Sequence, residues 1–233
     1  MPGNAVEYSY NFIGQFVTIL SVNKTRIKNG RVCVYFFGWA QYASILFFAW
    51  VELSAHFLLS KEKNMNKTRY LTQAAIIAAL YAVLTHMQNL LLPGSTTWAI
   101  QMRISEAMTV LAFFTPAAIP GLSLGCLVFN LTYAGTLPLD FLVGTLATFL
   151  AALAMWKTRN MKIGKLPLLG LVMPAVTNAF LVGWELTVYI GGGFGINALY
   201  VALGELAVVL VLGTALYFAI TARSLDKSVL ALG

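Results

Sequence analysis

The 233-residue chain is 59% hydrophobic and only 10% charged, with a mean hydropathy of +0.79 and a formal net charge of +7. Soluble domains carry about 25% charged residues, so this composition excludes a soluble enzyme and a disordered regulator. It also argues against a transmembrane β-barrel, whose strands alternate apolar with polar residues.

What remains is an all-α, polytopic membrane protein, with room for six or seven spans at about 20 apolar residues each. The basic residues fall in the gaps between hydrophobic runs, which reads as the positive-inside rule rather than as nucleic-acid binding. Cys33 and Cys126 both lie in apolar stretches and form neither a disulfide framework nor a metal-ligand spacing.

Residues 1–64 differ from the rest. A basic cluster (Lys24, Arg26, Lys28, Arg31) precedes one apolar run at 32–59, which Glu52 and His56 interrupt. Lys61-Glu62 can be encoded AAG GAG, a ribosome-binding sequence, two codons before Met65. The expectation is that translation begins at Met65 and that 1–64 is an over-extended reading frame. The alternative is a genuine extra hydrophobic segment.

From Met65 the pattern is regular and predicts six spans in a domain over 65–233. They fall at 70–92 (closed by Pro93-Gly94), 104–114, 117–133, 139–156, 166–190 (containing Pro174) and 196–221. The second is short, which is acceptable when other helices or a water-filled cavity surround it. Placing Lys67 and Arg69 inside puts Lys157, Arg159, Lys162, Lys165, Arg223 and Lys227 inside as well. Only Arg103 then falls outside. Counted from Met65, both termini are predicted to be cytoplasmic.

Ala74, Ala78 and Ala82 repeat every four residues along one face of the first span, and Gly121 and Gly125 form a second small-residue pair. Such spacing lets helices approach closely, either inside a bundle or against a partner.

A charge at mid-membrane costs roughly 2.5–3.5 kcal/mol on insertion scales. Apart from the loops, the charged residues are Arg103, Glu106, Asp140, Glu185 and Glu205, all in the outer half of the six-span topology. Arg103 and Glu106 share one helical face; Glu205 lies about 13 Å into the last span at 1.5 Å per residue. Asn130, Asn178 and Asn197 add amides, and Phe129, Tyr133, Trp184 and Phe194 add rings that can stack on a flat ligand or belong to the lipid belt and core. The bland alternatives are a local ion pair for Arg103 and Glu106, and a buried protonated carboxyl for Glu205. Jointly the residues predict a polar ligand pocket open to the outside.

Other chemistries are missing from the sequence. Gly164-Lys165 lacks the upstream glycine and following hydroxyl of a phosphate-binding loop, and the glycines at 191–195 fail the dinucleotide spacing and read as a flexible loop. The histidines, His56 and His86, make no paired metal motif. No catalytic nucleophile with a positioned base is visible, so no enzyme activity, cofactor or metal is expected.

The segment Gln101-Met102-Arg103-Ile104-Ser105-Glu106-Ala107-Met108-Thr109-Val110-Leu111, followed by Phe114-Thr115-Pro116-Ala117-Ala118-Ile119-Pro120-Gly121, resembles the QueT family. Asn197-Ala198 and Gly204-Glu205-Leu206 fit the same pattern, and the resemblance extends over 65–233. It implies a substrate-binding (S) component of a bacterial energy-coupling factor (ECF) importer for queuosine precursors, in the cell membrane. The implied architecture is a six-helix transmembrane bundle with a ligand site near the outer face, covered by loops. The implied partners are a transmembrane coupling protein and two cytoplasmic ATPase subunits, with an alanine-rich face of the first helix (Ala74, Ala78, Ala82) docking on the coupling protein.

A 7-deazaguanine presents a guanine-like donor edge, which a carboxylate accepts bidentately. On this reading Glu205 or Glu185 takes that edge and Glu106 a cationic side arm. Asn130 and Asn197 read the carbonyl and pyrrole edges, while Arg103 orients Glu106 or closes a lid over 94–103. Two other readings stay open: an S component for another vitamin-like compound, and a self-sufficient secondary transporter with Glu185 or Glu205 as proton carrier.

Overall fold

The computed structural model describes residues 67–96, 102–133, 136–137, 139–228 and 230. The expectations for 1–64 lie outside these residues. Among the described residues the regular structure is entirely helical. Four helical stretches are long and apolar enough to cross a membrane: Lys67–Leu91, Asp140–Thr158, Leu168–Tyr189 and Phe194–Ala222. Ile104–Phe113 and Ala118–Thr132 are shorter apolar helices, so the six expected segments resolve into four of spanning length and two that are not.

Helix α1 (Lys67–Leu91) ends where Pro93 follows and Gly94 turns the chain at φ +84°. Its buried face reads Tyr70, Gln73, Ala74, Ile77, Tyr81, Thr85, Gln88 and Asn89, a 3–4 spacing made mostly of polar groups. Its outer face is Leu71, Ile76, Leu80, Val83 and Leu90. Such a helix, apolar outside and polar inside, inverts the soluble pattern and suits a hydrocarbon surround.

The next segment, Ile104–Phe113, is a 3₁₀ helix, with Glu106 N donating to Arg103 O at 3.0 Å and Phe114 N to Leu111 O at 3.0 Å. Runs of 3₁₀ beyond 3–4 residues are uncommon; this one is fastened to α1 at successive points. Gln88 Oε1 accepts from Ile104 N at 2.7 Å, and Thr85 Oγ1 donates to Ser105 Oγ at 2.7 Å. The Tyr81 hydroxyl donates to Glu106 Oε1, and at the far end Thr115 Oγ1 donates to Gln73 Oε1 at 2.9 Å. The other helices pack around the segment, and most of it is buried. Being surrounded accounts for how so short an apolar element is tolerated.

Helix α2 (Ala118–Thr132) carries Pro120 in its first turn, where no intrahelical N–H bond is lost. It crosses α1 on glycines. A Cβ on Gly121 would lie 2.8 Å from the Ala74 carbonyl, and one on Gly125 would lie 2.8 Å from the Ala78 carbonyl. Of the three alanines expected to present a docking face, two are taken up by this crossing. Ala74 is buried, Ala78 and Ala82 are half-buried, and the backbone of the first two is already met by α2. The alanines of α1 that remain exposed are Ala75 and Ala79.

Helices α3 (Asp140–Thr158) and α4 (Leu168–Tyr189) follow, each packed on its predecessor in sequence. In the loop between them the Arg159 guanidinium sits 3.5 Å from the centroid of the Trp156 ring. Pro174 interrupts the α4 hydrogen-bond ladder, and Thr177 Oγ1 donates back to Met173 O at 3.0 Å. Gly191 and Gly192 turn the chain at φ +89° and +83°. Helix α5 (Phe194–Val208) then runs through a π turn (Val209–Gly213) into α6 (Thr214–Ala222), and a short α7 (Leu225–Ser228) closes the described chain.

Below the polar region lies a core of Ile77, Met108, Val110, Phe113, Ile119, Leu122, Met155, Leu171, Val209 and Tyr217. The π turn packs on the 3₁₀ helix there; Gly213 lets Val110 come close, since a Cβ at Gly213 would stand 3.0 Å from its Cγ2.

Candidate functional site

Five charged side chains expected from the sequence are all buried: Arg103, Glu106, Asp140, Glu185 and Glu205. They come from four elements or their flanks, Arg103 and Glu106 sharing the 3₁₀ helix, and each carboxyl lies within electrostatic range of the Arg103 guanidinium. Fully ionised, four carboxylates against one cation leave a surplus of three negative charges.

Arg103 is held by its neighbours. Its Nε donates to Thr96 O at 3.1 Å, and Thr96 Oγ1 in turn exchanges hydrogen bonds with Asn89. Its Nη2 lies 3.4 Å from Asp140 Oδ2, the one ion pair resolved among the described residues. Its Nη1 faces the free thiol of Cys126 at 3.8 Å, and the guanidinium carbon is 5.8 Å from the Phe129 ring centroid. The expected Arg103–Glu106 pairing is therefore not a direct contact. Arg103 pairs with Asp140, and Glu106 is oriented by Tyr81.

The site has two tiers. Asn130 is two residues from the end of α2, Asp140 opens α3, and Glu185 is four residues from the end of α4. Asn130 Nδ2 donates to the Asp140 backbone carbonyl at 2.8 Å. Gly144, one turn into α3, makes the space: a Cβ there would lie 2.9 Å from Asn130 Nδ2 and 3.0 Å from Asp140 Oδ1. Glu205 is eleven residues into α5, about 16 Å at 1.5 Å per residue. Glu106 is fixed to Tyr81, ten residues before the end of α1, or about 15 Å. Glu205 and Glu106 interact electrostatically, so they form the inner tier.

Buried polar atoms normally find partners. Here Glu106 Oε2, Asn130 Oδ1, Asp140 Oδ1, Glu205 Oε2 and both oxygens of Glu185 have none. All are acceptors. A region that collects unsatisfied acceptors is built for a molecule rich in donors.

Not every expected residue joins this cluster. Asn197 donates to Thr187 Oγ1 at 3.0 Å and to Gly191 O at 3.0 Å, so its amide fastens the glycine turn between α4 and α5. Asn197 is the expected ligand reader, and its Nδ2 is engaged in this turn; Phe194 and Gly195, expected in a flexible loop, already belong to α5. Trp184 and Phe194 are exposed and face outward, whereas Phe129 is buried with Tyr133 stacked at 5.3 Å. Of the expected lid, 97–101 lie outside the described residues. Three contributors had no assigned role: Asp140, although its charge stood out in the sequence; Tyr81, whose i+4 neighbour Thr85 marks the same inward face; and Gly144, four residues after Asp140.

The family model described as QueT transporter matches residues 71–222, which include every residue of this site. The chain matches no curated relative and no solved structure.

Proposed function

Because the chain belongs to the QueT transporter family, and so is a membrane transporter component rather than an enzyme, we propose that it is the substrate-binding component of an ECF-type importer that captures a queuosine precursor. The observation that carries this reading is the set of unpartnered carboxylate oxygens around one guanidinium. A 7-deazaguanine offers a ring N–H beside an exocyclic amine, and a carboxylate accepts both at once. Such a bidentate contact discriminates between bases by about 1–3 kcal/mol. Glu205 Oε2 and Glu106 Oε2, in the inner tier, are the groups assigned to that edge, and the buried Phe129 ring, with the half-buried Tyr133 stacked on it, flanks Arg103.

In this reading all six apolar helical segments lie in the bacterial cell membrane, with both ends of the family-matched region cytoplasmic and the site toward the outer face. Energy comes from two ATPase subunits through a coupling protein that docks on α1. With Ala74 and Ala78 met by α2, the docking stripe is Ala75 and Ala79 with the half-buried Ala82. Release follows when the whole component topples within the assembled importer, for which an apolar exterior of residues such as Leu71, Phe180 and Val211 is suited.

The test is a thermal-shift and calorimetric screen of the purified chain against 7-deazaguanines, guanine and unrelated vitamins. A ligand that binds only the folded state raises the melting temperature by mass action. Stabilisation by 7-deazaguanines alone supports the reading, and stabilisation by a different compound replaces the substrate. Uptake by proteoliposomes containing this chain without ATPases would replace the mechanism with a self-sufficient transporter.

A further inference from the structure

The turn between α3 and α4 stands apart from the polar site. Helix α3 begins in that site at Asp140 and α4 returns to it at Glu185, so residues 159–167 lie at the opposite end of the bundle, one α3 length or about 28 Å away. The turn is closed on itself. Met161 N donates to Thr158 O at 2.9 Å, Ile163 N donates to Leu166 O at 2.9 Å, and Gly164 supplies a left-handed residue at φ +67°. Its base is tight, since a Cβ on Gly170 would stand 2.8 Å from Thr158 Oγ1.

Packing does not account for its side chains. Lys157, Arg159, Lys162 and Lys165 follow one another with no acidic residue between them, and among the described residues none is paired with a carboxylate. Met161 and Ile163 are exposed, yet they lie beyond the ends of the two helices rather than on their outward sides. Apolar side chains interleaved with lysines mark a segment in the headgroup boundary, where the apolar tips reach acyl chains and the cations stay at the phosphates. Arg159 is prepared for an anion. Its guanidinium is stacked on the Trp156 ring, and Nη1 donates to Trp156 O at 2.7 Å, which fixes the plane. That uses one N–H of five, and the others are donors of the kind that meet a phosphate in pairs.

From this arrangement we infer that the α3–α4 turn is a binding site for anionic phospholipid: Arg159, with Lys157, Lys162 and Lys165, holds the phosphodiester headgroup, and Met161 and Ile163 enter the acyl boundary beside it. The inference rests on the membrane setting of the chain and not on its substrate. Four cations spread along one turn exceed what a small free anion neutralises, and a bilayer surface brings anions and hydrocarbon to the same place. Lipid bound there fastens this end of the bundle at the membrane surface.

The experiment is native mass spectrometry of the full chain released from nanodiscs that hold equal amounts of phosphatidylglycerol and phosphatidylcholine, with the ratio of the two lipids retained as the readout. The wild type is expected to favour phosphatidylglycerol by about 10-fold or more. Arg159→Gln should lower the ratio by about 5-fold, and Lys157→Gln, Lys162→Gln and Lys165→Gln combined should bring it close to one. Arg159→Lys, which keeps the charge without the fork, should fall between wild type and Arg159→Gln. Met161→Ser with Ile163→Ser should lower the number of phosphatidylglycerol molecules retained. Lys67→Gln with Arg223→Gln removes two cations from the same end of the bundle and should leave the ratio near wild type. Binding of 7-deazaguanines, at the other end, should persist in every variant, so failure here leaves the proposed substrate standing. A wild-type ratio near one overturns the lipid site, as does a ratio that survives Arg159→Gln and the triple lysine variant. Stabilisation by inorganic phosphate or glycerol 3-phosphate equal to that by phosphatidylglycerol overturns it in favour of a free anion. Variants that keep the ratio but lose co-purification with the coupling protein overturn it in favour of a protein contact.

Discussion

The Tyr81 hydroxyl donates to one oxygen of Glu106, and the other oxygen of that carboxylate has no partner. One helix therefore aims a charged group presented by another, and only half of the carboxylate is used up in the aiming. The expected consequence of Tyr81→Phe is a protein that folds normally, since the ring stays in the core, but in which Glu106 is free to turn. Loss of a hydrogen bond to a charged group is worth about 1.5–3 kcal/mol, so ligand affinity should fall by about 10-fold or more. Calorimetry beside a melting curve measures both, and unchanged affinity would show that Glu106 does not meet the ligand.

Among the described residues, Arg103 is the one cation within range of four buried carboxyls. Arg103→Leu leaves their charges uncompensated and should destabilise the fold by about 3–5 kcal/mol. Arg103→Lys keeps the charge but not the reach from Thr96 O to Asp140 Oδ2, so a smaller loss is expected. Melting temperatures of the two variants in one detergent decide this, with Leu below Lys below wild type.

Two glycines separate packing from recognition. A Cβ on Gly170 would stand 2.4 Å from the Phe113 ring, whereas one on Gly144 would stand against the ends of the Asn130 and Asp140 side chains. Gly170→Ala is expected to cost about 1–3 kcal/mol of stability by overpacking and to leave the affinity of the folded fraction near wild type. Gly144→Ala should do the opposite, because the atoms displaced are side-chain ends that belong to the site. Paired melting and binding curves that show the same pattern for both variants would refute the distinction.

On α1, Gly121 and Gly125 press against carbonyls, and a backbone carbonyl has little room to yield. Gly125→Ala should therefore destabilise the α1–α2 crossing by about 1–3 kcal/mol. Ala79→Trp, on the exposed side of the same helix, should leave melting temperature and ligand binding unchanged while abolishing co-purification with a coupling protein and uptake in cells. Normal uptake by that variant would move the docking surface elsewhere.

Much of this was readable before the fold. The hydrophobic runs located the six apolar helical segments among the described residues, and the scarcity of charge made Glu106, Glu185 and Glu205 conspicuous. The pairing of those charges was not readable, because Asp140 is 37 residues from Arg103 and which carboxyl wins the guanidinium depends on where α3 begins. Likewise, the alanines at 74 and 78 carry the right spacing for close approach, but spacing does not name the approaching helix; Gly121 and Gly125 do, once α2 is seen to cross there. Asn197 looked like a reader because amides in membrane spans usually have a function. Its partners, Thr187 and Gly191, lie on the preceding helix and turn, and sequence order alone does not bring them together.

The anchoring of the 3₁₀ helix to α1 has a metrical consequence. Its ends are tied to Gln88 and Gln73, which are 15 residues apart on α1, or about 22 Å at the α-helical rise of 1.5 Å. From Ile104 to Phe113 is nine steps, which reach about 18 Å at the 3₁₀ rise of 2.0 Å but only about 14 Å if wound as an α-helix, and Phe114 and Thr115 cover the remainder. The element is a strut cut to the distance between two fixed bolts. Any change that relaxed it into ordinary winding would shorten it by about 4–5 Å and draw Glu106 off the tyrosine that aims it.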